Sequence, residues 1–382
     1  MIPCQNEFFD IPDDITYLNC AYFSPLMKPV RDAGMLGVNR KARPWQIHAN
    51  HFFDESEEVR TLFAQLISAR ADDVALIPAV SYGLAVAAAN IPLQAGDEIV
   101  VLDEQFPSNY YCWREAAAPK DANIVTVKRD PVRGWTEAVL QHINDHTAVV
   151  TLPNVHWTDG SVIDLRQIAQ ACKRHRAELV LDLTQSLGAY PFSLRELDAA
   201  FVICAGYKWL LGPYSTAFMY VNPRYHKASP LELNWLNRKD SEKFSGLVEY
   251  NTDFQQGARR FDVGERSNFA LLPMVVAALR QILHWGVDEI SQTLAQLTGA
   301  LADRAEALGL SVAPASERST HLIGLRFPGS LPADITERLT QEKIYVSIRG
   351  NAIRVAPHVY NSLAHVEKLI GILQGAGVPD KT

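Results

Sequence analysis

The chain has 382 residues, of which 48% are hydrophobic, so it can fill a sizeable core and is long enough for two domains, or for one large domain with a smaller companion. Its formal net charge is -7, with 43 acidic and 36 basic residues. Neither sign forms a long block, which argues against binding to nucleic acid or to an anionic membrane and favours a small-molecule partner.

The first residues, "MIPCQNEFFDIPDD", are acidic and lack both the basic opening and the apolar core of a signal peptide. The most apolar stretch, residues 74–93, is interrupted by Pro78 and Pro92 and does not suit a membrane span, which needs about 20 apolar residues. The five cysteines are scattered and form no C-x-x-C pair, so neither a disulfide framework nor a zinc site is expected. We expect a cytosolic protein.

Apolar runs alternate with helical patterns from about residue 54 to residue 221. Glu55 to Ile67 carries its apolar residues on one face, which predicts an amphipathic helix. Continuous runs, rather than strictly alternating ones, are typical of strands covered on both faces, and runs separated by helices indicate a mostly parallel sheet. The last two runs are joined by a segment so short that one of them is a candidate for an antiparallel strand. Seven runs follow the first helix: "VALIPAV", "EIVVLD", "NIVTVK", "TAVVTL", "ELVLDL", "AFVICA" and "TAFMYV".

The pattern of residue types changes after Asn222, where a polar and aromatic stretch extends to about Arg266. Pro273, a residue favoured in a first helical turn, then opens a long helical pattern. Near the end, residues 349–351 (Arg-Gly-Asn) can form a turn between two β-type runs. We interpret the region after Asn222 as a smaller α+β domain. The stripe of the long helical pattern contains Ile290, Leu294, Leu297 and Leu301.

We therefore predict an α/β protein with a mostly parallel, seven-stranded sheet that carries helices on both faces. Residues 17–255 form the large domain in this prediction. Residues 1–16 and 256–382 form the small domain, with the first residues as an N-terminal arm.

Three polar residues stand at or just past predicted strand ends: Asp182, Gln185 and Lys208. Taken singly, each has an ordinary explanation as a helix cap or a solvated side chain. Asp182 and Lys208 are separated by one predicted strand–helix–strand step, so adjacent strands could bring both side chains into one crevice. The ligand site of an open α/β sheet lies beyond the carboxyl ends of its strands. Pyridoxal phosphate is the common cofactor that needs a lysine for a Schiff base and an acidic partner for its ring nitrogen.

Five motifs extend this pattern along the chain. Together they resemble the class V aminotransferase family of fold-type I pyridoxal-phosphate enzymes, which includes cysteine desulfurases, kynureninases, transaminases and lyases. The resemblance runs from about Tyr17 to Asn361 and implies a homodimer with shared active sites. The motifs are "IPAVSYGLAVAAANIPL", "EQFPSNYYCW", "NVHWTDGSVIDL", "DLTQSLGAYP" and "AGYKWLLGP".

The resemblance assigns a role to each residue around the cofactor. Lys208 matches the Schiff-base lysine, and Asp182 matches the carboxylate that keeps the ring nitrogen protonated through a charge-assisted hydrogen bond. Gln185 matches the donor to the cofactor's O3′. Phe106 occupies the position of the ring stacked on the pyridine, the alternative being an ordinary core phenylalanine. The family places contacts to the O3′ side and to the substrate at Trp157 and Thr158.

The phosphate end of the site is expected at the start of the helix after the first strand, because a helix N-terminus is a natural anion site. Val80 offers its amide there, and Ser81 offers its amide and its hydroxyl. The alternative is that Ser81 only caps the helix. The family often has a serine three residues before the lysine, where this chain has Ala205, and Tyr207 is the expected substitute.

Two further assignments come from the C-terminal half. "GERSNFALLP" resembles the segment that reaches into the neighbouring subunit, which makes Ser267 and Asn268 candidate phosphate ligands across the dimer. "AIRVAPHVYN" resembles the segment whose arginine binds the substrate carboxylate, a role that suits a bidentate guanidinium. Arg354 is the expected residue, while Arg349 in the turn is expected to be solvated.

The reaction is expected to be transamination of an α-amino acid or related amine, with Lys208 as the general base. A β-eliminating lyase, such as a C–S lyase or a kynureninase-like enzyme, is the close alternative, and an epimerase is a further one. A cysteine desulfurase is disfavoured because no cysteine follows Cys204 to act as the C-terminal nucleophile.

Other classes of protein have less support. A ligand-binding relative without activity would have little reason to keep Lys208, Asp182 and Gln185 together. A nicotinamide oxidoreductase would need a glycine fingerprint that the chain lacks. His142 and His146 are spaced as metal ligands on a helix could be, but no carboxylate pattern accompanies them, so no metal is expected.

Overall fold

The computed structural model describes residues 1–375 of the chain. The strands are β1 (Thr16–Tyr17), β2 (Val74–Ile77), β3 (Glu98–Leu102), β4 (Asn123–Val127), β5 (Thr147–Leu152), β6 (Glu178–Asp182), β7 (Phe201–Ala205), β8 (Ala217–Val221), β9 (Ile323–Arg326), β10 (Ile344–Tyr345), β11 (Ser347–Arg349) and β12 (Ala352–Val355). The α-helices are α1 (Lys28–Lys41), α2 (Asp54–Ile67), α3 (Val80–Asn90), α4 (Pro107–Ala117), α5 (Gly134–Leu140), α6 (Leu165–His175), α7 (Leu271–Trp285), α8 (Val287–Ala307), α9 (Ile335–Gln341) and α10 (Leu363–Gly375).

A seven-stranded sheet with the order β2-β8-β7-β6-β5-β3-β4 forms the centre of the fold. Its strands are parallel except β8, which runs antiparallel to both β2 and β7. Each of the seven apolar runs forms one of these strands, so the predicted mostly parallel sheet is confirmed. The antiparallel strand is the last of the seven.

Helices cover both faces of this sheet, which explains why its strands are continuously apolar. Successive residues of β7 point to opposite faces: Phe201 and Ile203 join one core cluster, with α3 and α4, while Val202 and Cys204 join the other. The second cluster also contains apolar residues of α2, α6 and α7. The predicted helix from Glu55 to Ile67 is α2.

The C-terminal region contains a three-stranded antiparallel sheet with the order β11-β12-β9. Gly350, whose φ is +57°, turns the chain between β11 and β12, as predicted for residues 349–351. The long helical pattern after Pro273 is two helices, α7 and α8, rather than one. The chain breaks at Gly286, whose φ of +78° lies outside the right-handed helical region.

The first and last parts of the chain lie together, because β1 pairs in parallel with β10. Helix α7 packs on α1 and α2, and Gly257–Phe261 lies against β2. The segment after residue 255 therefore contacts elements of the predicted large domain before it enters the small one, and the domain division stays a prediction. Within residues 1–375, no helix is both long and apolar enough to cross a membrane.

Candidate active site

A cavity of about 410 Å³ opens at the edge of the sheet where the parallel strands end. Its walls come from the segments that follow β2, β3, β5, β6 and β7 and from the segment that precedes β8. This is the expected position for a ligand in an open α/β sheet. The predicted site residues in its wall are Val80, Ser81, Phe106, Trp157, Asp182, Gln185, Tyr207 and Lys208.

Lys208 and Asp182 reach the cavity from neighbouring strands, since β6 pairs in parallel with β7. The Lys208 side chain is buried, and burial lowers the pKa of its amine to about 8, although the charge of Asp182 acts to raise it. Burial raises the pKa of Asp182, while hydrogen bonds from Thr184, including one from the backbone N–H of 3.0 Å, act to lower it. An amine with a pKa near neutrality is suited to nucleophilic and proton-transfer chemistry.

Gln185 is held in place by hydrogen bonds at both ends of its amide. Its Nε2 donates to the carbonyl oxygen of Ala21 (3.0 Å), and its Oε1 accepts from the indole N–H of Trp209 (3.0 Å). The buried ring of His321 donates to its backbone carbonyl (2.6 Å). The amide nitrogen carries a second hydrogen, which is the donor that the predicted contact with O3′ requires.

Two aromatic side chains form one wall of the cavity. The rings of Phe106 and Trp157 meet edge to face, with centroids 5.7 Å apart. The amine of Lys208 lies 5.5 Å from the centroid of the Phe106 ring. Because Phe106 is 40% exposed and lines the cavity, it is not an ordinary core phenylalanine. Its ring is available to a planar ligand beside the lysine.

The start of α3, where the anion site is expected, lies in the cavity wall. Val80 is the first residue of that helix, and Ser81 is exposed within the cavity wall. The first N–H groups of a helix have no partner within the helix and favour a negative charge. Ala205 also lines the cavity, as does Tyr207, whose ring packs between Phe23 and Tyr214.

Ser215 and Thr216 are among the hydroxyl-bearing residues of the wall that were not anticipated. They precede β8, and sequence reasoning looked for site residues only after strands. Because β8 runs antiparallel to its neighbours, its amino end lies at the same edge as their carboxyl ends. The short join between the last two apolar runs was the signal that could have located them.

Two buried amides of the wall have donors without partners within residues 1–375. These are Gln105 Nε2 and Asn109 Nδ2. The Asn109 side chain is oriented by its oxygen, which accepts from the Thr151 hydroxyl (2.7 Å) and from the Trp113 indole (3.2 Å). Buried donors are rarely left unpaired, so these amides favour a polar ligand in the cavity. Both residues lie in the motif "EQFPSNYYCW", from which only Phe106 was singled out.

Four predicted residues are not part of the cavity wall: Thr158, Ser267, Asn268 and Arg354. The hydroxyl of Thr158 pairs with the ring of His156 (2.8 Å). The hydroxyl of Ser267 donates to the carbonyl oxygen of Phe52, and Asn268 caps α7 by accepting from two backbone N–H groups. In the single chain their side chains thus have other partners, and their proposed contacts stay predictions.

Arg354 lies on β12, outside the wall, and is only 1% exposed. Its guanidinium donates to the Trp157 carbonyl oxygen (2.8 Å) and to the Ser347 hydroxyl (3.3 Å). Burial, together with the neighbouring charge of Arg349, lowers its pKa to about 9. Its own charge acts to lower the pKa of Lys208, so it is electrostatically coupled to the cavity.

This set of residues fits pyridoxal phosphate. Lys208 provides an amine for the aldehyde, and Asp182 an anionic partner for the ring nitrogen. Phe106 provides a flat surface for the ring, and the start of α3 provides donors for the phosphate. The unpaired amide of Asn109 shows that the cavity has a place for a polar group.

Comparisons with known proteins agree with this arrangement. An uncharacterized aminotransferase of Bacillus subtilis (strain 168), YcbU, is 28% identical over 311 residues, which are 81% of this chain and 80% of the relative. A kynureninase of Shouchella clausii (strain KSM-K16) is 22% identical over 89% of this chain and 81% of its own length. A solved structure of C-DES, a mutant with glycine covalently linked to its pyridoxal phosphate cofactor, shares the fold with a TM-score of 0.88. It is 19% identical and covers 97% of this chain and 99% of that chain.

The family model described as aminotransferase class V matches residues 39–368. This range contains Lys208 and Asp182 as well as the other predicted residues of the cavity wall. The chain therefore belongs to the class V aminotransferase family, whose enzymes use pyridoxal phosphate.

Proposed function

We propose that the protein is an aminotransferase that acts on an α-amino acid and holds pyridoxal phosphate on Lys208. The observation that carries this proposal is the presence of a buried amine and a buried carboxylate, from paired strands, in the wall of one cavity. The amine can bind the aldehyde of the cofactor, and the carboxylate can pair with its ring nitrogen.

Several residues of the wall have distinct tasks in this proposal. Asp182 stabilises a proton on the ring nitrogen, and Phe106 supports the face of the ring. Gln185 donates to the ring hydroxyl, and the first N–H groups of α3, together with Ser81, bind the phosphate. When bound, pyridoxal phosphate supplies an electron sink that stabilises a carbanion at the substrate Cα.

Lys208 would have a second role, as a proton carrier, whenever its amine is free. Its freed amine, with a pKa lowered to about 8 by burial, can accept the proton from the substrate Cα and return it at another carbon. Arg354 is proposed to hold the substrate carboxylate, which orients the Cα–H bond toward that amine. Trp157 and Thr158 are proposed contacts on the O3′ and substrate side.

A β-eliminating lyase is the second candidate. The curated relatives include kynureninases, and C-DES is named a cystine C–S lyase in one of its solved structures. A cysteine desulfurase has less support, because the chain has no cysteine after Cys204. Burial also raises the pKa values of Cys20 and Cys204, which disfavours a reactive thiolate at either one.

A homodimer is part of the proposal. Ser267 and Asn268 line a second cavity together with Phe52 and Trp235, apart from the cavity that contains Lys208. A contact between these two residues and a phosphate would thus need a neighbouring chain, as the family resemblance implies.

The cysteines are free thiols, which supports the proposed cytosolic location.

The cofactor assignment is tested by borohydride reduction of the purified protein, followed by digestion and mass spectrometry. We expect a covalent adduct on the peptide that contains Lys208. Lys208→Ala should remove the adduct, while Lys120→Ala, which changes an exposed lysine, should retain it. A wild-type protein that is loaded with cofactor but yields no adduct would exclude the proposed attachment.

The reaction type is tested by adding amino acids without a keto acid acceptor. An aminotransferase should release one equivalent of keto acid per active site and then stop until an acceptor is added. A lyase should release ammonia and a keto acid continuously. Continuous release of ammonia and keto acid with every amino acid that reacts would show that the enzyme is a lyase. It would contradict the proposed transamination.

A further inference from the structure

Two arginines lie together on one face of the β11–β12 hairpin. Ser347 pairs with Arg354 across the hairpin, and Arg349 lies two residues after Ser347 on β11. Since side chains two apart on a strand share a face, Arg349 and Arg354 point to the same side. Their guanidinium carbons lie 5.2 Å and 5.9 Å from the centroid of the Trp157 ring, which forms part of the cavity wall.

Neither guanidinium has an anionic partner among the residues that the structure describes. Arg349 donates to the Ile348 carbonyl oxygen, and Arg354 donates to the Trp157 carbonyl oxygen and the Ser347 hydroxyl, which are all neutral acceptors. The Nε atoms of both arginines are buried without a hydrogen-bond partner within residues 1–375. The expectation that Arg349 is solvated is therefore wrong, because it is half-buried against Trp157.

The other two fully buried arginines of the described residues pair with a carboxylate, whereas the half-buried Arg238 and Arg260 lie over the Phe254 ring without one. Arg60 and Arg266 both pair with the buried carboxylate of Asp262. Arg259, which is mostly buried, pairs with Glu57. Buried charges are stable when paired and expensive when they are not. The hairpin differs from these pairs in bringing two cations together with no carboxylate between them.

This arrangement is costly without a ligand and becomes favourable with an anionic one. Burial, together with the charge of Arg349, acts to lower the pKa of Arg354. A carboxylate of a ligand would accept from the unpaired Nε–H groups and neutralise the repulsion. Full neutralisation of two guanidinium groups requires two negative charges.

We propose that the substrate is an α-amino acid with a second acidic group on its side chain. Arg354 binds its α-carboxylate, and Arg349 binds the side-chain acid. The inference rests on the proposed function for the α-amino acid part of the substrate and adds the charge of its side chain. Arg349 is thereby a residue that determines specificity.

The first test compares acidic amino acids with their neutral amides on the holoenzyme. Aspartate and glutamate should change the visible absorbance of the enzyme-bound cofactor at about tenfold to a hundredfold lower concentration than asparagine and glutamine, since charged hydrogen bonds discriminate by this amount. Arg349→Met should remove the preference by weakening only the acids. Arg354→Met should weaken acids and amides alike, and Arg166→Met, which changes an exposed arginine, should alter neither.

The preference and its loss in Arg349→Met together support the inference. Equal affinities for acids and amides, or an equal loss for both in Arg349→Met, would overturn it, because both arginines would then serve the α-carboxylate. Arg349→Lys should retain part of the preference, which separates lost charge from disturbed packing. The melting temperature of each variant shows whether the hairpin has stayed folded.

A second test does not depend on catalysis. Calorimetric titration of the holoenzyme with glutarate and with its monoamide measures the second charge alone. Glutarate should bind at least tenfold more tightly, and Arg349→Met should abolish the difference. If no amino acid changes the cofactor spectrum but glutarate binding still depends on Arg349, the proposed transamination fails while the diacid site stands. Equal binding of the two ligands would overturn the site.

Discussion

Asp182 closes strand β6, and its carboxylate acts on the charge of Lys208, which follows the adjacent strand β7. Attraction between the two favours the protonated amine, but burial opposes it and lowers the pKa of Lys208 to about 8. The amine is therefore held close to its point of titration at physiological pH.

The first prediction concerns the rate at which apoenzyme binds pyridoxal phosphate covalently. Only the neutral amine is nucleophilic, so the rate should be greatest above pH 8 and fall about tenfold for each pH unit below it. Arg354→Met should shift the midpoint upward, because the charge of Arg354 acts to lower the pKa of Lys208. The check is a pH series of visible absorbance after rapid mixing. A rate that does not vary between pH 6 and pH 9 would contradict the assignment.

The second prediction concerns Asp182→Asn. The amide keeps the size of the side chain but removes the negative charge, so the protein should still bind cofactor while losing activity by about a hundredfold or more. Cofactor content and turnover measured on one preparation separate the two effects. Asp303→Asn, which changes an exposed carboxylate, is the control. Full activity of Asp182→Asn would exclude its role beside the ring nitrogen.

The third prediction concerns stability at the buried carboxylate of Asp262. It accepts from two nitrogens of Arg60 at 3.0 Å and 2.8 Å and from the backbone N–H of Leu76 at 2.8 Å, and Arg266 lies 3.2 Å away. Asp262→Ala would leave the buried guanidinium of Arg266 without an anion and that of Arg60 with Glu57 alone, 3.2 Å from its Nε. It should lower the free energy of unfolding by about 3–5 kcal/mol, measured by urea denaturation.

The control for this change is Asp240→Asn, which breaks an exposed ion pair by introducing a residue that tolerates the φ of +61° at this position. Such pairs contribute about 0–1 kcal/mol, so the control should unfold almost as the wild type does. A loss at Asp262 no larger than the loss at Asp240 would show that the buried network contributes little. Because Asp262 also holds Leu76 at the strand before the predicted phosphate site, cofactor affinity should fall with stability.

The fourth prediction concerns two buried histidines, His321 and His358. Burial lowers the pKa of His321 to about 4 and that of His358 to about 3. Above an unfolded pKa of about 6.5 both rings are neutral in either state, and stability does not depend on them. Below it the unfolded chain binds protons that the folded chain does not, so the free energy of unfolding should fall by about 1.4 kcal/mol per pH unit for each histidine.

Urea denaturation between pH 7.5 and pH 4.5 measures this slope. His358→Phe should reduce the slope by about 1.4 kcal/mol per pH unit, which is the contribution of one proton. The phenyl ring loses no hydrogen bond, because neither ring nitrogen of His358 has a partner within residues 1–375. His146→Gln, at an exposed position, should leave the slope unchanged. Equal slopes in wild type and His358→Phe would contradict the prediction.

The sequence pattern predicted the sheet because its strands are covered on both faces and therefore read as continuous apolar runs. It located Lys208 and Asp182 because both follow parallel strands, where a ligand site is expected. It missed Thr216 because that residue precedes a strand whose direction is set by tertiary pairing. The apolar pattern also predicted one helix where the structure has α7 and α8. Gly286 interrupts the helix through its backbone conformation but does not interrupt the apolar stripe.

The misjudged position of Arg349 has a similar cause. A residue beside a glycine turn is usually solvated, and its burial depends on Trp157, which lies far away in the chain. Burial of this kind becomes visible only when distant segments have been brought together. The same holds for Asn109, whose orientation depends on its contacts with Thr151 and Trp113.

The place of β2 in the sheet has a consequence for how the protein folds during synthesis. This strand lies at the edge of the seven-stranded sheet, and β8, which comes far later in the chain, is its neighbour there. When β2 leaves the ribosome, its partner has not yet been made, and β3 and β4 can pair with each other before β8 is synthesised. The helix start that is proposed to bind phosphate is thus anchored late, and pairing at such long sequence separation slows folding.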